Sequence, residues 1–138
     1  MKLTSFILIL FLAFNSISAQ NCCEIKLNKE NSLKHLGKEF QRLRNLKDRD
    51  CCNKYGSGMM KIMEMLNNRL EIGLSEKTII KIMGRPDKYV SKKNPIEVIA
   101  FKEEERILIY YWRGMHDFLY FGIKNNKLYY KNWYYALE

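Results

Sequence analysis

The run Ile72-Gly73-Leu74-Ser75-Glu76-Lys77-Thr78-Ile79-Ile80-Lys81-Ile82-Met83-Gly84-Arg85-Pro86-Asp87 carries both the start and the stop of one short helix. Ser75 is the natural N-cap, its hydroxyl oxygen accepting an orphan backbone N–H of the first turn. Leu74 and Ile79 then fall at the two positions that close as a hydrophobic staple. Glu76 sets negative charge at the positive end of the helix dipole. Gly84 supplies a left-handed residue after the last turn and Pro86 forbids continuation, so the helix ends at about Met83. Two turns do not hold alone in water, so Ile79, Ile82 and Met83 must be buried against something downstream.

Downstream, Lys92-Lys93-Asn94-Pro95 breaks the chain before four expected strands. They are residues 96–102, 106–112, 117–123 and 128–134. Glu103-Glu104-Glu105 makes an acidic turn, Gly114 marks a hairpin, and Lys124-Asn125-Asn126-Lys127 holds the asparagines that tolerate positive φ in a tight turn. Short connections imply an antiparallel meander, so the expectation is an α+β fold with N-terminal helices packed on a C-terminal sheet of three to four strands. Both alternating sets of the strands are apolar. One must cover the helices; the other, rich in Tyr110, Trp112, Phe118 and Tyr120, is either exposed or packed under the N-terminal helix.

The capped Ile-Gly-Leu-Ser start, the Met-Gly-Arg-Pro-Asp end, Tyr110-Tyr111-Trp112 and Leu119-Tyr120-Phe121-Gly122-Ile123 together resemble the SmpA/OmlA (BamE-like) envelope domains over about Ile72 to Tyr135. The resemblance implies a non-enzymatic envelope protein of a Gram-negative bacterium that docks to another protein in outer-membrane assembly or integrity. Members of that family are commonly lipoproteins, but here Ala19-Gln20-Asn21 before Cys22 does not fit a lipobox.

Upstream, Met59, Ile62, Met63, Leu66 and Leu70 stripe a helix that follows a Tyr55-Gly56-Ser57-Gly58 turn. Methionines at that spacing read as core packing rather than as a metal or promiscuous groove. Leu33, Leu36, Phe40, Leu43 and Leu46 stripe another, from Ser32 to about Arg49, whose Lys34, Lys38, Arg42, Arg44, Lys47 and Arg49 form either a solvated face or a basic patch for weak contact with anionic lipid. Before it, Cys22 to Asn31 alternates as an extended strap.

Met1 to Ala19 has Lys2, an apolar core from Phe6 to Phe14 and small residues before Gln20, which reads as a secretory leader and leaves about 119 residues in one domain. The organisation expected is a leader over 1–19, a disulfide-stapled helical region over 20–71 and a helix plus sheet over 72–138, the last two in one compact domain. Export to the periplasm or the medium makes disulfides the default for Cys22, Cys23, Cys51 and Cys52, and a bond between neighbours would be strained, so the bridges are expected to link the two pairs. The first such bridge closes a loop of about 29 residues, stabilising by roughly 3.5 kcal/mol in the chain-entropy picture. The strap and the helix have similar lengths, about 27 Å, so a strap running back along the helix would bring the pairs together. Adjacent cysteines lack the ligand spacing of a zinc site.

The chain carries 24 Lys and Arg against 15 Asp and Glu, for a net charge of +9. Basic charge with aromatic strands suggests a single-stranded nucleic-acid platform, but the RRM strand motif is missing and export removes that partner. His116-Asp117 beside Arg113 would be an acid–base pair only if the two side chains shared a face, which neighbours in a strand do not. With no nucleophile signature, phosphate loop or histidine cluster, the sequence points to no enzyme, metal or cofactor. The expected function is protein docking through Tyr110, Trp112, Phe118 and Tyr120 as anchors, with Arg113 and His116 at the rim. The alternative is an exported inhibitor or immunity protein, similar to β-lactamase inhibitors, that caps another enzyme.

Overall fold

A computed structural model describes residue 25 and residues 32–46, 57–93, 97, 99–101 and 104–136. The cysteines, the strap apart from Ile25 and the leader lie outside these residues. Helix α1 spans Leu33–Arg44, α2 Gly58–Arg69 and α3 Glu76–Met83, followed by strands β1 Lys88–Ser91, β2 Arg106–Arg113, β3 Asp117–Lys124 and β4 Lys127–Tyr134. The four strands form one antiparallel sheet in the order β1-β2-β3-β4. Helices first and sheet second is the α+β arrangement expected from the sequence.

Each helix begins on a serine. Ser75 Oγ accepts from the Thr78 N–H at 3.1 Å, and Ser32 and Ser57 do the same for His35 and Met60. Gly84 closes α3 at φ +80°, its N–H bonding the Ile80 carbonyl at 2.8 Å. What precedes α3 is fastened as firmly as the helix itself. Gly73 N–H donates to the Leu128 carbonyl, Leu128 N–H to the Leu74 carbonyl and Glu76 N–H to the Asn126 carbonyl, so residues 73–76 run beside the start of β4. Arg106 reinforces this corner by pairing with Glu76 and donating to Asn126 Oδ1 at 2.6 Å. Asn125 and Asn126 both have positive φ, 51° and 59°, the geometry of the type I′ turn that matches strand twist.

Helices α1, α2 and α3 all pack on one face of the sheet. Leu36, Phe40 and Leu43 of α1, Met59, Ile62, Met63 and Leu66 of α2, and Ile79 and Met83 of α3 share a buried cluster with Leu108, Tyr110, Trp112, Leu119, Phe121, Ile123 and Leu128. Ile25 packs against the same cluster. The methionine stripe is therefore core. Where α1 crosses α3, a Cβ on Gly37 would overlap the Ile82 carbonyl, so the close approach requires glycine, and Gln41 Nε2 donates to that carbonyl at 2.8 Å.

Three boundaries differ from expectation. Helix α1 stops at Arg44 rather than near Arg49, with Asn45 bonding back to the last carbonyls. Gly58 is the first residue of α2 rather than part of a turn. The first strand is Lys88–Ser91, not Ile96–Lys102. Once Pro86 has ended α3, Asp87 N–H donates to the Ile109 carbonyl, and the next four residues occupy the free edge of β2. With that edge taken, Glu97, Ile99, Ala100 and Phe101 stay outside the ladder; Ile99 is buried and Phe101 half-buried without strand pairing, and Ala100 is exposed.

Candidate functional site

The register of β2 against β3 divides the expected anchors between opposite faces. Tyr110 pairs with Leu119 and Tyr111 with Phe118, and directly opposed residues of an antiparallel pair share a face. Tyr110 and Trp112 therefore look toward the helices and are 0 % and 2 % exposed. The Tyr110 ring meets Phe40 and Phe121 edge-on at 6.1 and 5.7 Å, and its hydroxyl donates to the Gly84 carbonyl at 2.9 Å. Burial pushes its pKa well above the ordinary tyrosine value. These two residues are not surface anchors as expected; they fix the sheet under α1 and α3.

Phe118 and Tyr120 lie on the other face with Ile107, Ile109 and Tyr111. Aromatic rings run across it without a gap. Tyr111 meets Phe118 edge-on at 5.4 Å, Phe118 stacks on Tyr134 at 4.9 Å and meets Tyr120 at 5.8 Å, and Tyr120 meets Tyr130 at 5.9 Å. A Cβ on Gly122 would overlap the Tyr130 ring, so the glycine lets that ring lie flat across β3. Burial raises the pKa of Tyr111, Tyr120 and Tyr130; the hydroxyl of Tyr130 also donates to Glu104 Oε1 at 3.0 Å, which favours its protonated form.

This outer face is partly roofed, though not by the N-terminal helix. Ile99 and Phe101 pack against it among Val90, Ile107, Ile109 and Phe118, and Glu104, expected in an open acidic turn, is buried beside Tyr130. The roof leaves an opening at the β2–β3 turn. There Glu97, Tyr111, Met115, His116, Phe118, Tyr134 and Ala136 line a cavity of about 360 Å³. Met115, at the tip of that turn, is 79 % exposed.

No protein-family model, curated protein or solved structure matches the chain. The chemistry of the opening is therefore read from its own groups. His116 is exposed in the turn, while the Asp117 carboxylate is fully buried and turned to other partners. Its Oδ1 accepts from the Ala136 N–H at 2.8 Å, and its Oδ2 lies 2.5 Å from Arg113 Nε as an ion pair of poor hydrogen-bond alignment. The pairing closes the turn and ties the end of β4 to it, so Arg113, expected as a rim contact, is held to Asp117 beside the Trp112 ring. Among the described residues no group of three or more His, Cys, Asp or Glu is placed to hold a metal.

Lys47 and Arg49 lie outside the described residues, and the described basic residues of α1 fall into two kinds. Arg42 forms an ion pair with Glu39 at 2.7 Å, and that bond raises its pKa further. Arg44 reaches Asp87 at 2.6 Å, donates to the Arg85 carbonyl at 2.9 Å and lies over the Phe40 and Tyr110 rings. Asp87 in turn accepts from the Tyr111 N–H at 2.9 Å, so one arginine clamps α1, the end of α3 and the start of β1. Lys34 and Lys38 instead stay exposed. The sequence reading missed the Arg44–Asp87 clamp because no local pattern links residues so far apart. It likewise missed Lys131, whose Nζ donates to the carbonyls of Asn67 and Leu70 and caps the C-terminus of α2, with burial lowering its pKa.

Proposed function

We propose that this protein is a non-enzymatic docking module of the cell envelope, exported and acting on another envelope protein, as the resemblance of its capped helix and aromatic strands to SmpA/OmlA domains implies. The docking face is the outer side of the sheet at the β2–β3 turn. Phe118, Tyr111 and Tyr134 form its aromatic floor, Met115 its exposed apolar tip, and His116 and Glu97 its polar edge. The observation that carries this reading is Met115, 79 % exposed beside an aromatic-walled cavity. A flexible thioether at such a tip suits an adaptable contact, and tyrosine offers rigid area with a polar end. Tyr110 and Trp112 serve this face only indirectly, by fixing the sheet from behind.

The test is recovery of partners after crosslinking in intact cells. Met115→Glu combined with Tyr134→Ser is expected to reduce recovery of the specific partner about tenfold or more, a loss of the size that anchor residues carry. Unchanged recovery, with the doubly substituted protein folded and exported, contradicts the assignment.

A further inference from the structure

A groove of about 590 Å³ runs between α1 and α3, lined by Leu33, Lys34, Lys38, Gln41, Lys81 and Ile82. Its width is set by contacts already made in the fold. The Gly37 backbone abuts Ile82, and Gln41 Nε2 donates to the Ile82 carbonyl at 2.8 Å, so the two helices hold their spacing without a ligand. Leu33 and Ile82 are half-buried and give the groove an apolar floor. Lys34 and Lys38 stand one turn apart on α1, and Lys81 faces them from α3.

Arg42 and Arg44 of α1 each meet a carboxylate, whereas no carboxylate among the described residues pairs with Lys34, Lys38 or Lys81, and these three are the lysines that line the groove. Like charges one turn apart repel on a helix, and a third across the groove adds to that potential. Uncompensated positive charge around an apolar floor complements a negative head carrying an apolar tail, and the volume lies within the range of small-molecule sites, roughly 300–1,000 Å³.

We propose that the α1–α3 groove binds a single-chain anionic amphiphile of the medium-chain carboxylate class, its head among Lys34, Lys38 and Lys81 and its tail over Leu33 and Ile82. A concave slot between two helices accepts one chain, whereas attachment to a bilayer calls for an apolar stripe that can lie flat in the interface. The proposal does not rest on the docking reading, because it concerns the opposite side of the molecule and is measured without a partner.

Titration of the full chain without its leader, by calorimetry or backbone NMR, with decanoate below its micelle concentration tests it. The expected result is saturable one-to-one binding with shifts confined to α1 and α3. Lys38→Gln with Lys81→Gln is expected to weaken it about tenfold or more while leaving the melting temperature in place, and decyltrimethylammonium is expected to bind at least about tenfold more weakly than decanoate. Absence of saturable binding overturns the proposal. So does equal binding of decyltrimethylammonium or of inorganic phosphate, indifference to the two substitutions, or binding only to vesicles of anionic phospholipid.

Discussion

The two faces of the sheet are almost equally aromatic, yet they are finished differently. The helix side is covered by three helices and is sealed around Tyr110, which has ring contacts on two sides and a satisfied hydroxyl. Among the described residues the outer side is covered by a connecting segment alone, and its tyrosines end on Asn132, on Glu104 or around an open cavity. Residue type alone therefore does not separate core from contact surface; what separates them is which face the register assigns and what lies over it.

The sharpest way to break this contrast is to truncate one tyrosine on each side. Tyr110→Ala removes a fully buried ring and leaves the Gly84 carbonyl without its donor, and is expected to cost about 3–5 kcal/mol in denaturant unfolding. Tyr134→Ala, on the outer face, is expected to cost about 1 kcal/mol, since its ring is only half-buried. Equal losses would mean that the outer face is as well packed as the inner.

Alkali probes the same contrast more gently. Tyr110 has a folded pKa raised above the ordinary 10.0 by burial, and Tyr111, Tyr120 and Tyr130 are raised as well. A raised folded pKa means that the unfolded chain loses its phenolic protons first. The associated stability is thus fully present below pH 10 and is lost as pH rises toward the folded values. Tyr110 alone is expected to cost about 1 kcal/mol for each pH unit above 10. Lys131, with a lowered pKa, works in the opposite direction just below 10.5, where the unfolded chain holds more protons. Stability measured from pH 9 to 11.5, with the ultraviolet titration of phenolate beside it, checks both signs, and Tyr110→Phe is expected to flatten the decline.

What was legible in the sequence is what local chemistry decides. Ser75 and Gly84 bracket α3 because caps act within one turn, and Asn125-Asn126 builds its hairpin because positive φ is a property of those residues in that turn. The phase of β2 against β3 was not legible. It depends on the irregularity between Tyr111 and Arg113, which pairs Tyr111 with Phe118 but Arg113 with Asp117. Counting alternation along each strand separately joined Tyr110 and Trp112 to Phe118 and Tyr120, and a slip of one residue exchanges the faces. The position of β1 was hidden for a related reason. Lys88-Tyr89-Val90-Ser91 is short with one buried residue, while Ile99 and Phe101 look strand-like yet pack over the outer face as a roof. Of the candidate site, Phe118 and Tyr120 lie on the face away from the helices and His116 in the exposed turn, but alternation alone left open whether a helix covers that face, and Met115, Tyr111 and Tyr134 emerge only once the turn and the end of β4 come together.

The claim that the outer face carries the docking function is tested most directly by photocrosslinking in intact cells. A benzophenone amino acid replaces Met115 on that face or, for comparison, Ile72, which is also exposed but precedes α3. The account expects a covalent adduct with an envelope protein from position 115 and none from position 72. An adduct from position 72 alone would contradict it.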